Sequence, residues 1–281
     1  MPYNRAGGPR GPLGVNASLS RPVELTVVIP VYNEMARLPR TLDAVRAHLG
    51  RGTDRWELIV VDDGSTDGTA GPVRAAARRD PRIRLLRTPA NRGKGHAVRT
   101  GVLASRGRLV LVTDADLATP VEELARLRAR LEPGFAAAIG SRAHVRRHPL
   151  RLPAAGLGRM LIRALAVRGV ADTQCGFKLF DGGRARSAFA AARVDGWGFD
   201  VEILCLFARR GWPVAEVPVR WTHRPGSKIR PVDYAKVLGE VVLVRLRLGR
   251  TSPASPPPGS GGSGSAGSGS RAADGPRRVP A

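Results

Sequence analysis

Cysteine is scarce in this 281-residue chain, which contains only Cys175 and Cys205. The two residues lie outside any C-x-x-C spacing, so the sequence excludes a disulfide framework and a structural zinc site of the usual pattern. Because a free cysteine behaves as a small buried hydrophobe, we predict that both thiols are reduced and pack in the core.

Long apolar runs are also missing. No window approaches the roughly 18 apolar residues that span a bilayer, and the N-terminal residues do not resemble the core of a signal peptide. The sequence therefore predicts a protein that stays in the cytoplasm. Residues 1–22 and 251–281 are rich in Gly, Pro and Ser and lack apolar periodicity. We expect them to be disordered tails around one domain of residues 23–250.

Acidic residues are outnumbered, with 23 Asp and Glu against 46 Lys and Arg and a formal net charge of +23. The two predicted tails carry only +3 and +2, so the basic character belongs to the domain. Such a charge attracts nucleic acid, anionic lipid or phosphorylated small molecules. We predict no nucleic-acid partner, because aromatic residues make up only 5% of the chain and it has no basic recognition helix, aromatic RNA-binding motif or zinc pattern.

Hydrophobic periodicity predicts alternating strands and helices. Leu25–Val31 is a short apolar, β-branched run, and helical spacing follows at Leu38, Leu42, Val45 and Leu49. The cycle then repeats, with strands predicted at 57–61, 83–86 and 108–113 and helices at about 66–79 and 95–105. This alternation indicates right-handed β-α-β units and a mostly parallel sheet in a single α/β domain.

Polar clusters follow three of these predicted strands, at 32–34, 62–65 and 114–116. In open α/β sheets, ligands bind beyond the carboxyl ends of the strands. The three clusters are therefore expected to converge on one crevice.

Asp114 and Asp116 are two residues apart, so in an extended segment they project to the same side with Ala115 opposite. A pair of carboxylates suits Mg2+ or Mn2+, which prefer oxygen ligands and keep positions for diphosphate oxygens and water. Exposed acidic pairs are also common after strands. Taken alone, the pattern leaves both interpretations open.

Two other polar segments carry alternatives. Residues 62–68 read DDGSTDG, which fits a ligand site or an ordinary turn that caps the next helix. Residues 91–95 read NRGKG, but Thr88 and Gly95 occupy positions where a Walker phosphate loop needs glycine and Ser or Thr. The Walker loop is excluded, which leaves a cation near a diphosphate or a plain helix N-terminus.

Five motifs stand in order along the chain: VIPVYNE at 28–34, VDDGSTD at 61–67, NRGKG at 91–95, DAD at 114–116 and DTQCGFK at 172–178. Together they resemble the family 2 glycosyltransferases of GT-A fold, over about residues 24–245. The patterns DADLATP at 114–120 and GFDVE at 198–202 are similar to those of the dolichyl-phosphate β-glucosyltransferases. The resemblance implies a Rossmann-like, mostly parallel central sheet with flanking helices.

The resemblance also implies roles for individual residues on the donor side. Pro30, Tyr32 and Glu34 would line the nucleoside pocket. Asp62 would approach the uracil and ribose of a UDP-sugar, and Lys94 would lie near the nucleotide.

The two DAD carboxylates would divide their roles, with Asp114 at the ribose and Asp116 at the metal and diphosphate; both are candidate metal ligands. Mannose-transferring relatives have a glutamine where this chain has Ala118, so no third protein ligand is identified. The metal would stabilise the departing diphosphate, and direct in-line attack would invert the anomeric centre.

The acceptor decides whether a base is needed. An alcohol must lose a proton, and Asp200 matches the position where inverting relatives place a catalytic base, although a structural carboxylate at a helix start is the alternative. A polyprenyl phosphate, with a second pKa of about 6, is already largely a dianion and needs cations for orientation instead. We predict Arg142 and Lys178 for that role.

Residues 142–168 contain seven arginines, two histidines and no acidic residue. An apolar stripe from Leu157 to Leu165 fits an interfacial helix on anionic lipid, or a domain helix with a solvated basic face. Residues 223–228 resemble the late loop that closes over the diphosphate in this family, and a surface loop is the alternative.

The sequence thus favours a metal-dependent, inverting transferase. It would move a hexose, with glucose from UDP-glucose as the expected donor, to a polyprenyl phosphate. The reaction would take place at the cytoplasmic membrane face, where the protein would be peripheral on an anionic surface. The alternative is a soluble family 2 enzyme that acts on a sugar or small-molecule hydroxyl.

Overall fold

We obtained a computed structural model, which describes residues 22–52, 54–131, 134–142, 170–224 and 231–249. Both predicted tails, the basic segment beyond Arg142 and most of the predicted closing loop at 223–228 lie outside the described residues. The domain boundaries at 23 and 250 therefore stay predictions.

Strands and helices alternate in the N-terminal half of the described residues, and the order is less regular after β5. The strands are β1 (Leu25–Val31), β2 (Trp56–Asp62), β3 (Ile83–Arg87), β4 (Leu109–Val112), β5 (Ala137–Ser141), β6 (Lys178–Asp181) and β7 (Val214–Pro218). The helices are α1 (Leu38–Gly50), α2 (Ala70–Arg79), α3 (Lys94–Leu103), α4 (Leu124–Leu131), α5 (Gly182–Ala191), α6 (Phe199–Arg209) and α7 (Pro231–Leu248), with a short 3-10 turn at Val121–Glu123.

The predicted strands and helices of the N-terminal half are confirmed to within a few residues, with one larger difference. The second helix begins at Ala70 rather than at about 66. Asp67 accounts for the delay, because its carboxylate accepts hydrogen bonds from the backbone N–H groups of Met35 at 3.1 Å and Thr69 at 3.0 Å. These bonds hold residues 63–69 as a loop, since an aspartate that binds nearby backbone competes with helix formation.

The seven strands form one sheet in the order β3-β2-β1-β4-β6-β5-β7. Every neighbouring pair is parallel except those made by β6, which runs antiparallel to β4 and to β5. The mostly parallel sheet predicted from the sequence is confirmed.

The reversed strand β6 has a direct consequence for the ligand edge. Lys178, its first residue, lies opposite Val112 at the end of β4 and opposite Ile139 in β5. The beginning of β6 therefore meets the carboxyl ends of its neighbours. A residue that starts a strand reaches the edge where the other strands finish.

Both faces of the sheet are covered by helices, as a parallel sheet requires. Side chains alternate along β1, so Val27 and Ile29 pack with α1, α2 and α4, whereas Val28 packs with α3, α5 and α6. All three are fully buried. Burying one such side chain contributes roughly 1.5–3 kcal/mol, and this two-sided core holds the strand ends in place.

Cys175 and Cys205 are both buried and neither forms a disulfide, as predicted. Across the described ranges, none of the helices combines the length and the apolar character needed to cross a membrane.

Candidate functional site

One edge of the sheet collects the polar side chains that the sequence predicted separately. The strands β1, β2, β4 and β5 end there, and β6 begins there. The residues at this edge are Pro30, Tyr32, Glu34, Asp62, Asp114, Asp116, Arg142 and Lys178, with Lys94 at the start of α3 and Asp200 in the first turn of α6.

Two loops at this edge, after β1 and after β2, are bound to each other. The Asn33 N–H donates to Ser65 Oγ and the Glu34 N–H donates to Thr69 Oγ1, each at 2.8 Å. In return, the Thr66 N–H donates to Asn33 Oδ1 at 2.8 Å. Asn33 has a φ of 52°, a left-handed conformation that asparagine tolerates better than most residues. Ser65 and Thr66 of the DDGST segment (residues 62–66), together with Thr69, thus fix the neighbouring loop, and no side-chain hydrogen bond caps α2.

The residues predicted for the nucleoside pocket differ in their surroundings. Tyr32 is 38% exposed and Pro30 is half-buried, so both are accessible at the crevice. The Glu34 carboxylate accepts hydrogen bonds from Arg37 Nε at 2.6 Å and Nη2 at 2.7 Å. Arg37 Nη1 also lies 3.9 Å from Asp116 Oδ2. Arg37, which the sequence analysis did not single out, therefore connects the loop after β1 to the DAD motif.

Asp62 is fully buried at the end of β2. Its Oδ1 accepts a hydrogen bond from the Ser65 N–H at 2.8 Å. Its Oδ2 has Arg87 Nε at 3.2 Å but forms no hydrogen bond of acceptable geometry within the described structure. A buried carboxylate oxygen of this kind is expected to find a donor, because burying a polar atom without a partner costs free energy.

Asp63 organises the loop that leads to Lys94. Its Oδ2 accepts hydrogen bonds from the backbone N–H groups of Arg92 at 3.0 Å and Gly93 at 2.7 Å. Its Oδ1 accepts one from Thr88 Oγ1 at 3.0 Å. The NRGKG segment is thus held by a carboxylate of the DDGST segment. The sequence placed the DDGST segment at the sheet edge but did not predict this bond to the NRGKG segment.

Two backbone N–H groups in the first turn of α3 are already engaged. The N–H groups of Gly95 and His96 donate to the carbonyls of Gly196 and Asp195, at 3.2 and 3.1 Å. Gly93 has a φ of 113°, and a side chain there would meet the Asp195 carbonyl oxygen at 2.4 Å. NRGKG was interpreted either as a cation near a diphosphate or as a plain helix N-terminus. The geometry favours the first, because the tightly packed start of α3 positions a lysine at the crevice.

That cation is Lys94, whose Nζ lies 2.6 Å from Asp114 Oδ1 and 5.1 Å from the centroid of the Trp197 ring. Burial opposes both charges, but the neighbouring charges together outweigh it. They are Asp114, Asp200 and Asp116 around Lys94, and Lys94, Lys178 and Arg142 around Asp114. The pKa of Lys94 is therefore raised and the pKa of Asp114 is lowered. Both groups are charged at neutral pH.

Asp114 is confined on its other side by Gly176. A Cβ atom at residue 176 would fall 1.9 Å from Asp114 Oδ2, which is closer than any real contact. The glycine of the DTQCGFK motif is therefore required by space, since the backbone passes directly over the carboxylate.

Asp116 is the DAD carboxylate with no close cationic partner among the described residues, and its side chain is 25% exposed against 38% for Asp114. Its Oδ1 accepts the Ala118 N–H at 3.0 Å, while Thr41 Oγ1 donates to the Ala115 carbonyl at 2.5 Å and anchors the motif. Leu117 has a φ of 48°, so the chain turns sharply after the motif.

The oxygen donors of the DAD motif suit a hard divalent cation in type but not in number. Asp116 Oδ2 faces the crevice with only Arg37 at long range, whereas Asp114 is held by Lys94. No group of three or more His, Cys, Asp or Glu residues that could hold a metal occurs in the ranges that the structure describes. Mg2+ commonly uses one or two protein carboxylates and completes its shell with water and phosphate oxygens, so Asp116 fits such an ion.

Lys178 and Asp200 form a buried ion pair. Lys178 Nζ lies 2.6 Å from Asp200 Oδ1 and also donates to the Cys175 carbonyl, and the two side chains are only 4% and 8% exposed. Burial raises the pKa of Asp200, although Lys178 and Lys94 act in the opposite direction. The candidate base and one candidate phosphate ligand are therefore each other's partners.

Arg142 is held by Asp172 in a bidentate pair, with Nε to Oδ2 and Nη2 to Oδ1 both at 2.7 Å. The Arg142 backbone N–H also donates to Asp172 Oδ2 at 3.0 Å. Burial lowers the pKa of Arg142, but Asp172 outweighs it and the pKa is raised, while that of Asp172 is lowered. The guanidinium also lies 5.7 Å from the Trp221 ring centroid.

Glu216 in β7 holds Asp172 in turn. Its carboxylate accepts the backbone N–H groups of Ala171 at 2.8 Å and Asp172 at 2.9 Å. The series Glu216, Asp172, Arg142 thus runs from the edge strand into the crevice. Asp172 stood within a recognised motif but had no predicted role, and Glu216 carried no signal because its partners lie more than 40 residues away.

A family model for glycosyl transferase family 2 matches residues 26–179. A dolichyl-phosphate beta-glucosyltransferase of Trichomonas vaginalis is 42% identical over 241 residues, which cover 80% of this chain and 71% of the relative. The enzyme of the same name from Homo sapiens is 37% identical over 245 residues, which cover 80% of this chain and 75% of the relative.

Solved structures share the fold at lower identity. Glucosyl-3-phosphoglycerate synthase of Mycobacterium tuberculosis, in complex with UDP, has a TM-score of 0.61 and 23% identity, and the match covers 82% of this chain and 81% of that one. A mannosyltransferase of Pyrobaculum calidifontis, in complex with GDP-Man and Mn2+, has a TM-score of 0.58 and 24% identity over 83% and 66% of the two chains. The predicted GT-A fold is confirmed, and the chain belongs to glycosyl transferase family 2.

Proposed function

We propose that this glycosyltransferase moves glucose from UDP-glucose to a polyprenyl phosphate such as dolichyl phosphate, with inversion at the sugar carbon. The reaction would use Mg2+ or Mn2+ and would take place at the cytoplasmic face of a membrane. The relatives at 37–42% identity are named for transfer to dolichyl phosphate, which supports this acceptor.

The observation that carries the proposal is the charge arrangement on the acceptor side. Arg142 and Lys178 stand at the same edge as Asp114, and each cation is oriented by its own carboxylate. Asp200, the residue predicted as a base, is engaged by the Lys178 ammonium group. An acceptor that arrives as a phosphate anion needs oriented cations and no strong base, so this arrangement suits a phosphate better than an alcohol.

Two features support a uridine nucleotide on the donor side. Asp62, for which the family resemblance implies a position near the uracil and ribose, stands at the end of β2 on the same sheet edge as the DAD motif. The structural neighbour glucosyl-3-phosphoglycerate synthase was solved with UDP-glucose and Mn2+. Both observations support UDP-glucose as the donor.

The carboxylates and the cations of the site would have different roles in the reaction. Asp116, with Asp114 beside it, would hold the divalent ion, which supplies electrostatic stabilisation of the departing diphosphate. Lys94 adds a positive charge on the same side and keeps Asp114 ionised. Arg142 and Lys178 would orient the acceptor phosphate for direct attack on the sugar carbon, and this geometry favours a β-linked product from an α-linked donor.

Radiolabelled UDP-glucose tests the proposal. The full-length protein is incubated with Mg2+ or Mn2+ and with either a polyprenyl phosphate or the matching polyprenol, which differs only in the phosphate. Transfer to the phosphate and not to the alcohol is the expected result. Tight UDP-glucose binding without transfer to the phosphate would refute the acceptor and favour a soluble hydroxyl substrate.

A further inference from the structure

Helix α7 exposes a row of large apolar side chains. Val242 is 40% exposed, Leu243 is 66% exposed and Leu246 is 78% exposed. Residues three and four apart share one side of a helix, so the three form a continuous surface, which we call the α7 stripe. Few other large apolar residues of the described chain are as exposed, and Leu103 on α3, at 45%, is one of them.

The opposite side of α7 is packed on the domain. Val237, Val241 and Val244 are buried against α6 and β5. The helix therefore has two apolar sides, and only one is explained by the fold. A domain helix needs one apolar side for its core, so the second indicates a contact outside the domain.

The same helix touches the candidate site. The Glu240 carboxylate accepts the Gly198 N–H at 2.7 Å, just before α6 and Asp200. A side chain at Gly196 would meet Glu240 Oε1 at 1.9 Å, so the loop at 195–198 lies directly on α7. Glu240 precedes Leu243 by less than one turn. The α7 stripe therefore adjoins the helix surface that supports this loop.

Charge and composition identify what covers the α7 stripe. Lys236 is exposed beside it and Arg245 flanks its other margin, and the chain carries a formal charge of +23. A second copy would bring these charges together, which opposes self-association. Residues 251–281 contain one large apolar residue, Val279, and cannot cover three. An apolar row between cations fits the interfacial region of a bilayer that contains anionic phospholipid.

We propose that the α7 stripe docks the protein on such a bilayer and brings the loop at 195–198, with the acceptor side of the site, to the membrane surface. The inference rests on the proposed function in one respect, namely that the acceptor is a membrane lipid. It assigns the contact to α7 instead of the basic segment 142–168.

Vesicle co-sedimentation of the full-length protein tests the docking. Vesicles of phosphatidylcholine, with or without about 30% phosphatidylglycerol, are compared for the wild type, Leu243→Glu, Leu246→Glu and the matched control Leu103→Glu. Each variant replaces one exposed leucine by the same charge. We expect about tenfold weaker binding to the anionic vesicles for the two α7 variants and a change within about twofold for the control.

Several outcomes overturn the inference. Unchanged vesicle binding by both α7 variants would do so, as would an equal loss in the control. A concentration-dependent dimer in sedimentation velocity that both α7 variants dissociate, without vesicle binding by the wild type, would assign the α7 stripe to a second copy instead. The thermal midpoint of each variant checks the fold, and Lys236→Glu, which leaves the apolar row intact, should weaken only the anionic component.

A transfer assay separates this inference from the proposed function. The ratio of transfer to a vesicle-embedded polyprenyl phosphate over transfer to a water-soluble short-chain isoprenyl phosphate should fall in the α7 variants and stay constant in Leu103→Glu. If neither phosphate is glucosylated but vesicle binding still depends on the α7 stripe, the proposed function fails and the docking stands.

Discussion

Several aspartates are used differently on the two sides of the crevice that we propose for donor and acceptor, although Asp114 and Glu34 on the donor side also pair with cations. On the donor side, Asp62, Asp63 and Asp67 accept hydrogen bonds from backbone N–H groups and fix loops. On the acceptor side, Asp172 and Asp200 accept from arginine and lysine side chains and orient cations. The first arrangement fixes backbone shape, and the second fixes the direction of charge.

The difference indicates what each side can recognise. A loop held by its own hydrogen bonds presents a defined shape, which suits a rigid base and ribose. Cations that are paired with carboxylates cost less to bury than unpaired cations, and their remaining N–H groups can bind a phosphate that brings its own charge. Donor recognition by shape and acceptor recognition by charge would follow from this contrast.

Asp116 lies where the two sides meet, and its removal should have the largest effect. Asp116→Ala is expected to lower kcat by about a thousandfold, because the candidate metal loses the DAD carboxylate that is not paired with Lys94 and the departing diphosphate loses its stabilisation. The thermal midpoint should barely change, because the carboxylate is part-exposed and makes one local hydrogen bond, to the Ala118 N–H. Steady-state kinetics and thermal unfolding measure both.

The control for this variant is Asp43→Ala, which removes a carboxylate that is 80% exposed on α1, away from the crevice. Its kcat should match that of the wild type. Unchanged turnover in Asp116→Ala would contradict the metal assignment.

Asp172→Asn tests the acceptor side. An amide cannot accept both guanidinium hydrogen bonds, so Arg142 should lose its fixed orientation. We expect kcat/KM for the acceptor to fall by about 30- to 100-fold while the KM for UDP-glucose stays within twofold, since small misplacements of a positioning group are costly. Glu216→Gln should act in the same direction and more weakly. An equal change in both KM values would mean that Asp172 supports the whole site.

Asp63→Ala is the matching test on the donor side. It leaves the N–H groups of Arg92 and Gly93 without their acceptor and should loosen the loop that carries Lys94. The KM for UDP-glucose should rise about tenfold, since an unsatisfied buried donor costs roughly 1–3 kcal/mol, and the acceptor KM should be unaffected. If Asp63→Ala and Asp172→Asn gave the same pattern, the contrast between the two sides would be wrong.

The sequence predicted the features that depend on local pattern. The first four strands and three helices follow from burial periodicity, and five motifs at predicted strand ends and loops were enough to expect one crevice. The antiparallel direction of β6 could not be predicted, because the four residues Lys178–Asp181 contain no pattern that distinguishes parallel from antiparallel pairing. Its antiparallel pairing with β4 is a property of the assembled sheet.

The sequence also did not predict which charged residues form ion pairs with each other. Arg142 and Lys178 were predicted as ligands of an acceptor phosphate, and those roles stay predictions. Nothing in the sequence assigned Asp172 to Arg142 or Asp200 to Lys178, because these partners are 30 and 22 residues apart. At such separations the sequence is compatible with many pairings of oppositely charged residues. The packing of the folded chain determines which pairs form.

The smallest expected effect is on how the free energy of unfolding depends on pH. Burial raises the pKa of Asp172, but Arg142 outweighs it and the pKa in the folded protein lies below the unfolded value of about 3.9. The pair therefore stabilises the fold fully above about pH 4, and this contribution is lost as the pH falls through the folded pKa. Asp172→Asn should lower the free energy of unfolding by about 1 kcal/mol at pH 7, and urea titrations at pH 7, 5 and 3 should show the difference from wild type shrinking only at the lowest pH. A difference that stays constant down to pH 3 would mean that Asp172 stabilises the fold through packing, and that the acceptor side is not organised by charge.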